Sequence, residues 1–418
     1  MSLTCRGESA YNLSVPIKVS EGAMKTKNLT AHYALIQSVF WISGCCTLTY
    51  TTPLLQSRGF TNTEIGVTLA VASCLTILLQ PFVAAFADKS QKFTLNRLIS
   101  LLLLLTTAFS LVLMLMPSVF LPTAILCVLL STLTRMQNSL LTSLSSEQVQ
   151  AGGKLNFSLA RGFGSFSFAI ASMIIGYTID RVGADVIIPI CAVGAVAAIV
   201  VILAFPRPVV RAAKEKTAEA PASLPEFIRN NGRFVGFAFC LVLIYLSHIF
   251  INSFTIQIVT SRGGSGSEMG LASAIGGFLE LPAMALFPFI LKKVGSVSNI
   301  LKMSAIAMAV KSLITFLAPS LGWFYFAQAL QFFAYAMLIP SCVYYVNRMI
   351  ASKDKVKGQS LVDMAQVSAA VIGSVLGGVF LDLKGVDFML VIGTAVSAVG
   401  ALLLFFIIQK DHPTADEK

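Results

Sequence analysis

Four ionisable residues sit where the surrounding sequence leaves them no water. Arg161 interrupts the apolar stretch Leu155–Ile179. Glu280, Lys311 and Asp363 lie well inside apolar runs that begin near Met269, Ile300 and Ser360. A charge at bilayer depth costs roughly 2.5–3.5 kcal/mol on insertion scales unless it faces a polar cavity or a partner. Residues kept there against that cost read as functional. A carboxyl removed from water holds its proton more tightly and a neighbouring cation opposes this, so a buried acid can be poised to load and release a proton. Glu280, with Lys311 on the adjacent run, and Asp363 are therefore the candidates for proton coupling. A permanent structural ion pair is the simpler alternative, because polar side chains also hold membrane helices together.

Arg161 lies about two turns into its run, roughly 10 Å at 1.5 Å per residue. Three roles are open to it: a clamp on a solute, a partner for Asp363 or another polar group, or a snorkelling surface cation. Gly162, Gly164, Ser165, Ser167 and Ala169 flank it, small residues that admit a neighbouring helix. Further polar side chains occur inside apolar runs. Asn138 can bond a hydroxyl. His248 and Asn252, four apart, share a helical face, as do Gln328 and Gln331, three apart. The two glutamines suit a neutral hydrogen-bonding ligand or a helix–helix bond. Trp41 and Tyr50 can stack on a ring or occupy a membrane-interface belt.

Positioning these groups requires membrane helices. Of the 418 residues, 56% are hydrophobic and 12% charged, with a mean hydropathy of +0.82. Soluble domains carry about 25% charged residues, so an integral membrane protein is expected. Apolar runs near the ~20 residues needed for a span start close to Ala34, Ile65, Leu98, Val119, Leu155, Val186, Phe234, Met269, Ile300, Gly322, Ser360 and Phe388. The first 30 residues contain no apolar core, so a cleavable leader is not expected. The net charge of +11 is a matter of placement. With the N-terminus inside, 22 lysines and arginines fall in cytoplasmic segments and only Arg58, Arg181, Arg262 and Lys384 on the opposite side. That bias predicts both termini in the cytoplasm and no nucleic-acid partner. Seven of the eight cysteines lie in apolar runs and the three histidines are scattered, so no metal site is expected.

The longest polar break, residues 206–233, separates six runs from six. Short motifs repeat across it. Ser57-Arg58-Gly59 with Glu64 and Gly66 recurs as Ser261-Arg262-Gly263 with Glu268 and Gly270, 204 residues on. Gly176, Asp180, Gly183 and Asp185 recur as Gly378, Asp382, Gly385 and Asp387, 202 residues on. Two matches at nearly one offset point to a duplicated unit, and that offset carries Arg161 onto Asp363. The expected architecture is all-α: twelve transmembrane helices in two six-helix bundles. The bundles span residues 34–205 and 234–409, with tails at 1–33 and 410–418.

On these features the chain resembles the major facilitator superfamily from Ala34 to Gln409. Ala84-Ala85-Phe86-Ala87-Asp88-Lys89, after the second span, resembles the gating motif Gly-x-x-x-Asp-Arg/Lys, with alanine in place of its glycine. Phe157-x-x-Ala160-Arg161-x-Phe163-Gly164 is similar to the fifth span of lactose permease and of the related phenylpropionate and nucleoside proton symporters. In lactose permease the matching arginine binds sugar together with an acid on the fourth span. Here that span reads Arg135-Met136-Gln137-Asn138-Ser139, without the acid. The tenth span has Gln328, Gln331 and Ala334 where the permease has lysine, histidine and its proton-carrying glutamate.

The resemblance implies alternating access, with the solute held between the halves. The expected function is proton-coupled symport of a small polar organic solute, an oligosaccharide or glycoside first and a nucleoside or aromatic acid next. Transport would be driven by the proton gradient without a cofactor and without enzymatic catalysis, by a monomer in the plasma (inner) membrane. A drug–proton antiporter is the alternative on this fold, although the Gly-Pro kink usual in the fifth span of such exporters is missing. A membrane sensor that moves nothing is a third possibility, weakened by tails and a linker too short for a signalling domain.

Overall fold

The computed structural model describes residues 29–89, 94–206, 224–351 and 354–409. Among these there is no strand; the chain is helical throughout. With no water in hydrocarbon to satisfy peptide groups, an apolar run of this length must pair its N–H and C=O groups internally, as a helix does. The first half contains α1 (Leu29–Leu48), α2 (Thr51–Ser57), α3 (Asn62–Lys89), α4 (Leu95–Leu115), α5 (Phe120–Gln150), α6 (Phe157–Val182) and α7 (Ile187–Leu203). The second contains α9 (Gly232–Ser253), α10 (Thr255–Ser261), α11 (Gly266–Val294), α12 (Val297–Leu317), α13 (Leu321–Ala329), α14 (Tyr335–Met349) and α15 (Lys355–Ile407). A short helix, α8 (Leu224–Asn230), falls within the expected linker.

Ten helical segments among the described residues are long and apolar enough to cross a bilayer, against the twelve spans expected. The two differences have physical reasons. The first expected span is α1, which starts at Leu29 rather than Ala34 and carries His32, Gln37, Ser38 and Ser43 among its apolar residues. The last two expected spans run together as α15, whose only non-helical residue is Gly385, at φ 80°. Gly183 has φ 90° at the matching turn before α7, and Gly59 and Gly263 have φ 83° and 79°. This left-handed region favours glycine, so the repeated glycines mark turns of the same kind in the two halves.

Helices α1, α6 and α7 pack together in the first half, and α9, α12 and α15 in the second. The halves meet along two seams, α6 against α11 and α3 against α15. At the seams glycine lets backbone touch backbone. A Cβ on Gly66 would stand 2.1 Å from the Ser374 carbonyl oxygen, and one on Gly378 2.2 Å from that of Asn62. On the other seam, a Cβ on Gly176 would stand 2.2 Å from the Gly266 carbonyl oxygen, and one on Gly270 2.5 Å from that of Ser172.

Each seam is closed by an aspartate at the start of the opposing helix. Asp382 accepts from the backbone N–H groups of Asn62 (3.2 Å) and Thr63 (2.7 Å), and from the Asn62 side chain (2.8 Å). Asp180 accepts from the N–H groups of Gly266 (2.8 Å) and Ser267 (2.7 Å), and from both Ser265 and Ser267 hydroxyls. A carboxylate there satisfies unpaired donors and complements the positive end of the helix dipole. The ends of the halves bearing these loops are thus bonded to each other.

Candidate functional site

Arg161 sits on the first turns of α6, whose start is capped by the Asn156 side chain accepting from the Leu159 N–H at 3.0 Å. Its guanidinium carbon lies 4.5 Å from the centre of the Trp41 ring, and it donates to Ser165 at 3.1 Å. A cation over an indole face is attracted by the ring quadrupole, by about 2 kcal/mol or more where water is excluded. Gly164 makes this approach possible: a Cβ there would fall 2.6 Å from Trp41 Cδ1. Trp41 Nε1 donates to Gln37 (3.1 Å) and Gln37 to the Tyr33 hydroxyl (2.8 Å), which fixes the indole from behind. Of the partners considered for Arg161, Ser165 bonds it in this structure and Asp363 does not. The carboxylate in electrostatic reach of Arg161 is Glu280, across the α6–α11 seam. Asp363 is exposed on α15 and accepts from Gln359 at 3.2 Å.

Glu280 and Lys311 do not touch directly. Lys311, fully buried on α12, donates to Gln331 Oε1 at 2.6 Å, and Gln331 Nε2 donates to Glu280 Oε1 at a long 3.5 Å. Gln331, expected as a solute ligand beside Gln328, is therefore the bridge between the two charges. The backbone stays helical from Gln328 to Gln331, and both side chains are buried. The tenth span breaks into α13, a 3₁₀ turn (Leu330–Phe332) and α14. Gln328 is buried at the end of α13 and forms no side-chain hydrogen bond among the described residues.

His248 and Asn252 are joined, Asn252 Nδ2 lying 2.7 Å from His248 Nε2. The His248 ring stacks on Tyr335 with centroids 4.1 Å apart and planes 9° from parallel. Tyr335 accepts from Gln366 at 2.9 Å and lies in electrostatic reach of Glu280, Arg135 and Arg161. Asn138 is half-buried, one turn beyond Arg135 on α5. Arg135, in the middle of α5, is exposed. Tyr335 and Gln366 were not among the expected site residues. Their one sequence signal is polarity in an apolar run, which Tyr335 shares with other buried tyrosines such as Tyr245.

Two expected positions are placed elsewhere. Ala84–Lys89 forms the end of α3 rather than a loop, and the side chains of Asp88 and Lys89 lie outside the described residues. Tyr50 donates to the Ser172 carbonyl at 2.6 Å inside the first half, away from a ring-stacking position. Among the described residues no group of three or more His, Cys, Asp or Glu side chains is placed to hold a metal ion.

Two groups of membrane helices with a polar centre at their seam define the architecture of the major facilitator secondary transporters, a multi-pass membrane fold. A family model described as the MFS_1 like family matches residues 30–391, and the chain belongs to that family. Its fold is similar to that of a point mutant of the nucleoside transporter NupG, with a TM-score of 0.75 at 16% identity, covering 91% of this chain and 100% of that one. It is also similar to an auto-inhibited POT family peptide transporter, with a TM-score of 0.68 at 11% identity, covering 91% and 96% of the two chains. A bacterial homologue of the human lysosomal transporter Spinster superposes with a TM-score of 0.63 at 13% identity, again covering 91% and 96%. No curated protein matches the chain in sequence.

Proposed function

We propose that the protein carries out secondary active transport, moving a small polar organic solute together with protons by alternating access. Glycosides, nucleosides and aromatic acids are the solute classes to test. The observation that carries this reading is the Glu280–Gln331–Lys311 bridge beside the Arg161–Trp41 pair, on opposite sides of one seam. The 3.5 Å contact between Gln331 and Glu280 is at the limit of a hydrogen bond and costs little to break. A proton bound by Glu280 cancels its attraction for Arg161 and leaves that cation free for solute, while Lys311 stays bonded to Gln331. Solute held at the seam then favours the rearrangement that opens the opposite side. In this reading the protein acts as a monomer in the plasma membrane with both termini cytoplasmic. The likeness to a nucleoside transporter and a peptide transporter supports a polar organic solute.

The test is uptake by the purified chain in proteoliposomes, using labelled glycosides, nucleosides and aromatic acids with and without an inward proton gradient. Accumulation of one class above its outside concentration, lost when the gradient is collapsed, is the expected result. Uptake indifferent to the gradient would remove coupling and leave a facilitator.

A further inference from the structure

Lys302 stands within the first two turns of α12, about 7.5 Å of helix beyond Val297. Its ammonium lies 5.3 Å from the centre of the Phe405 ring on α15. Phe405, Phe406 and Leu402 on α15 are exposed, and so are Met303, Ile306 and Val310 on α12. Spacings of three and four put those α12 residues on one face, and in a membrane helix an exposed apolar face meets acyl chains. Lys302 thus bridges a groove between α12 and α15 that is open to the bilayer, at a depth from which a lysine reaches the headgroup layer. The groove belongs to the folded bundle. The Ser298 hydroxyl donates to the Gln409 carbonyl at 2.6 Å, and the Gln409 N–H donates to the Tyr345 hydroxyl at 3.1 Å, which ties the end of α15 to α12 and α14.

This corner of the second half carries cations and no acid. Lys292 and Lys293 occupy the last turn of α11, and only Gly295, at φ 72°, and Ser296 separate that helix from α12. No Asp or Glu occurs between Leu281 and Leu317 or between Phe388 and Gln409. Among the described residues no carboxylate pairs with Lys292, Lys293 or Lys302. The offset of 204 that relates the two halves carries Lys302 onto Leu98, so the feature is not a remnant of the repeat. At the other end of the bundle Lys384 also lies over a ring, 4.9 Å from the centre of Phe388, but it sits between Asp382 and Asp387. We propose that the α12–α15 groove binds an anionic phospholipid, its phosphate held by Lys302 with Lys292 and Lys293 beside it, and its chains lying along Met303, Ile306 and Leu402. The unanswered positive charge selects an anionic headgroup over a zwitterionic one, which brings its own ammonium against the lysines. The apolar walls select a lipid over a soluble anion. The site faces away from the seam between the halves and does not depend on what the protein moves.

Native mass spectrometry of the full-length protein in detergent, titrated with phosphatidylglycerol or phosphatidylcholine of identical chains, reads the preference directly. Phosphatidylglycerol should bind about fivefold more tightly or better, the gain expected from one lysine at a membrane surface. Lys302→Gln should reduce that ratio to about twofold or less, while Lys302→Arg, which keeps the charge, retains it. Lys384→Gln should leave the ratio unchanged. Soluble glycerol phosphate, a headgroup without chains, should not displace the lipid. The wild-type comparison stands on its own should Lys302→Gln fail to fold. Equal binding of the two lipids, an undiminished preference in Lys302→Gln, an equal loss in Lys384→Gln, or displacement by glycerol phosphate would overturn the proposal. A preference that emerges only after removal of residues 410–418, with their acids Asp411, Asp416 and Glu417, would assign the groove to that segment and overturn it as well.

Discussion

Arg58 and Asp185 form an ion pair at 3.0 Å between the end of the first span and the start of the sixth, and Arg262 and Asp387 repeat it at 2.8 Å in the second half. In both pairs the arginine is largely buried, 6% and 15% exposed, while the aspartate is 71% and 67% exposed. Exposure screens the attraction, so each pair is worth about 1 kcal/mol rather than the several expected of a buried one. Asp185→Ala or Asp387→Ala should each lower the unfolding midpoint in detergent. Adding Arg58→Ala to Asp185→Ala should cost less than the sum of the separate losses. Additive losses would mean that the pairs are incidental.

The aspartates one turn earlier act between the halves. Asp382 at the start of α3 and Asp180 at the start of α11 each satisfy helix-end donors across a seam. Replacing such a cap costs about 1 kcal/mol. Asp382→Ala should therefore shift the protein toward separation of these ends without unfolding it. Spin labels at the exposed Thr61 and Leu383 should report a longer distance population in the variant. An unchanged distance distribution would deny the contact a latching role.

Gly66 and Gly378 make a stronger prediction, because the atoms a Cβ would meet are backbone and cannot rotate away. Gly66→Ala or Gly378→Ala should prevent the α3–α15 seam from closing. The variant should still bind solute but cycle at a small fraction of the normal rate. Full transport by either variant would show that this tight approach is dispensable. Gly276 serves as the control, since the nearest atom to a Cβ there is 3.9 Å away, and Gly276→Ala should be tolerated.

At the centre, Glu280→Gln should abolish uphill accumulation while sparing solute exchange, since the neutral amide keeps the hydrogen bond and loses the titration. Gln331→Leu should be more damaging to stability, by about 3 kcal/mol or more, because it strands the fully buried Lys311 without its acceptor. The Gln331→Leu, Lys311→Met double variant should recover most of that loss, read as the unfolding midpoint. Failure to recover would mean that Gln331 does something other than hold the lysine.

Much of this was legible in the residues. The apolar runs announce membrane helices, and the repeated Arg58 and Asp185 motifs announce two related halves. The spacing of those motifs said nothing about what they touch. Arg58 meets its partner within its own half, whereas Asp180 and Asp382 reach across to the other. Linear offset preserves an internal duplication but carries no information about which copy a side chain faces. The same limit applies to Arg161, whose offset mate Asp363 stays on α15 while Glu280, on a helix of different number, becomes its electrostatic neighbour.

The sequence by itself determined that the chain lives in a membrane, that it is helical, and that a few charges are carried at depth. Each of these follows from local composition, because hydrocarbon forces every polar group to find a partner nearby. Only the tertiary structure decided the pairings: Gln331 between Lys311 and Glu280, Trp41 under Arg161, His248 stacked on Tyr335. Those depend on how helices distant in the chain rotate and approach, down to the missing Cβ of Gly164 that lets an indole slide beneath a guanidinium.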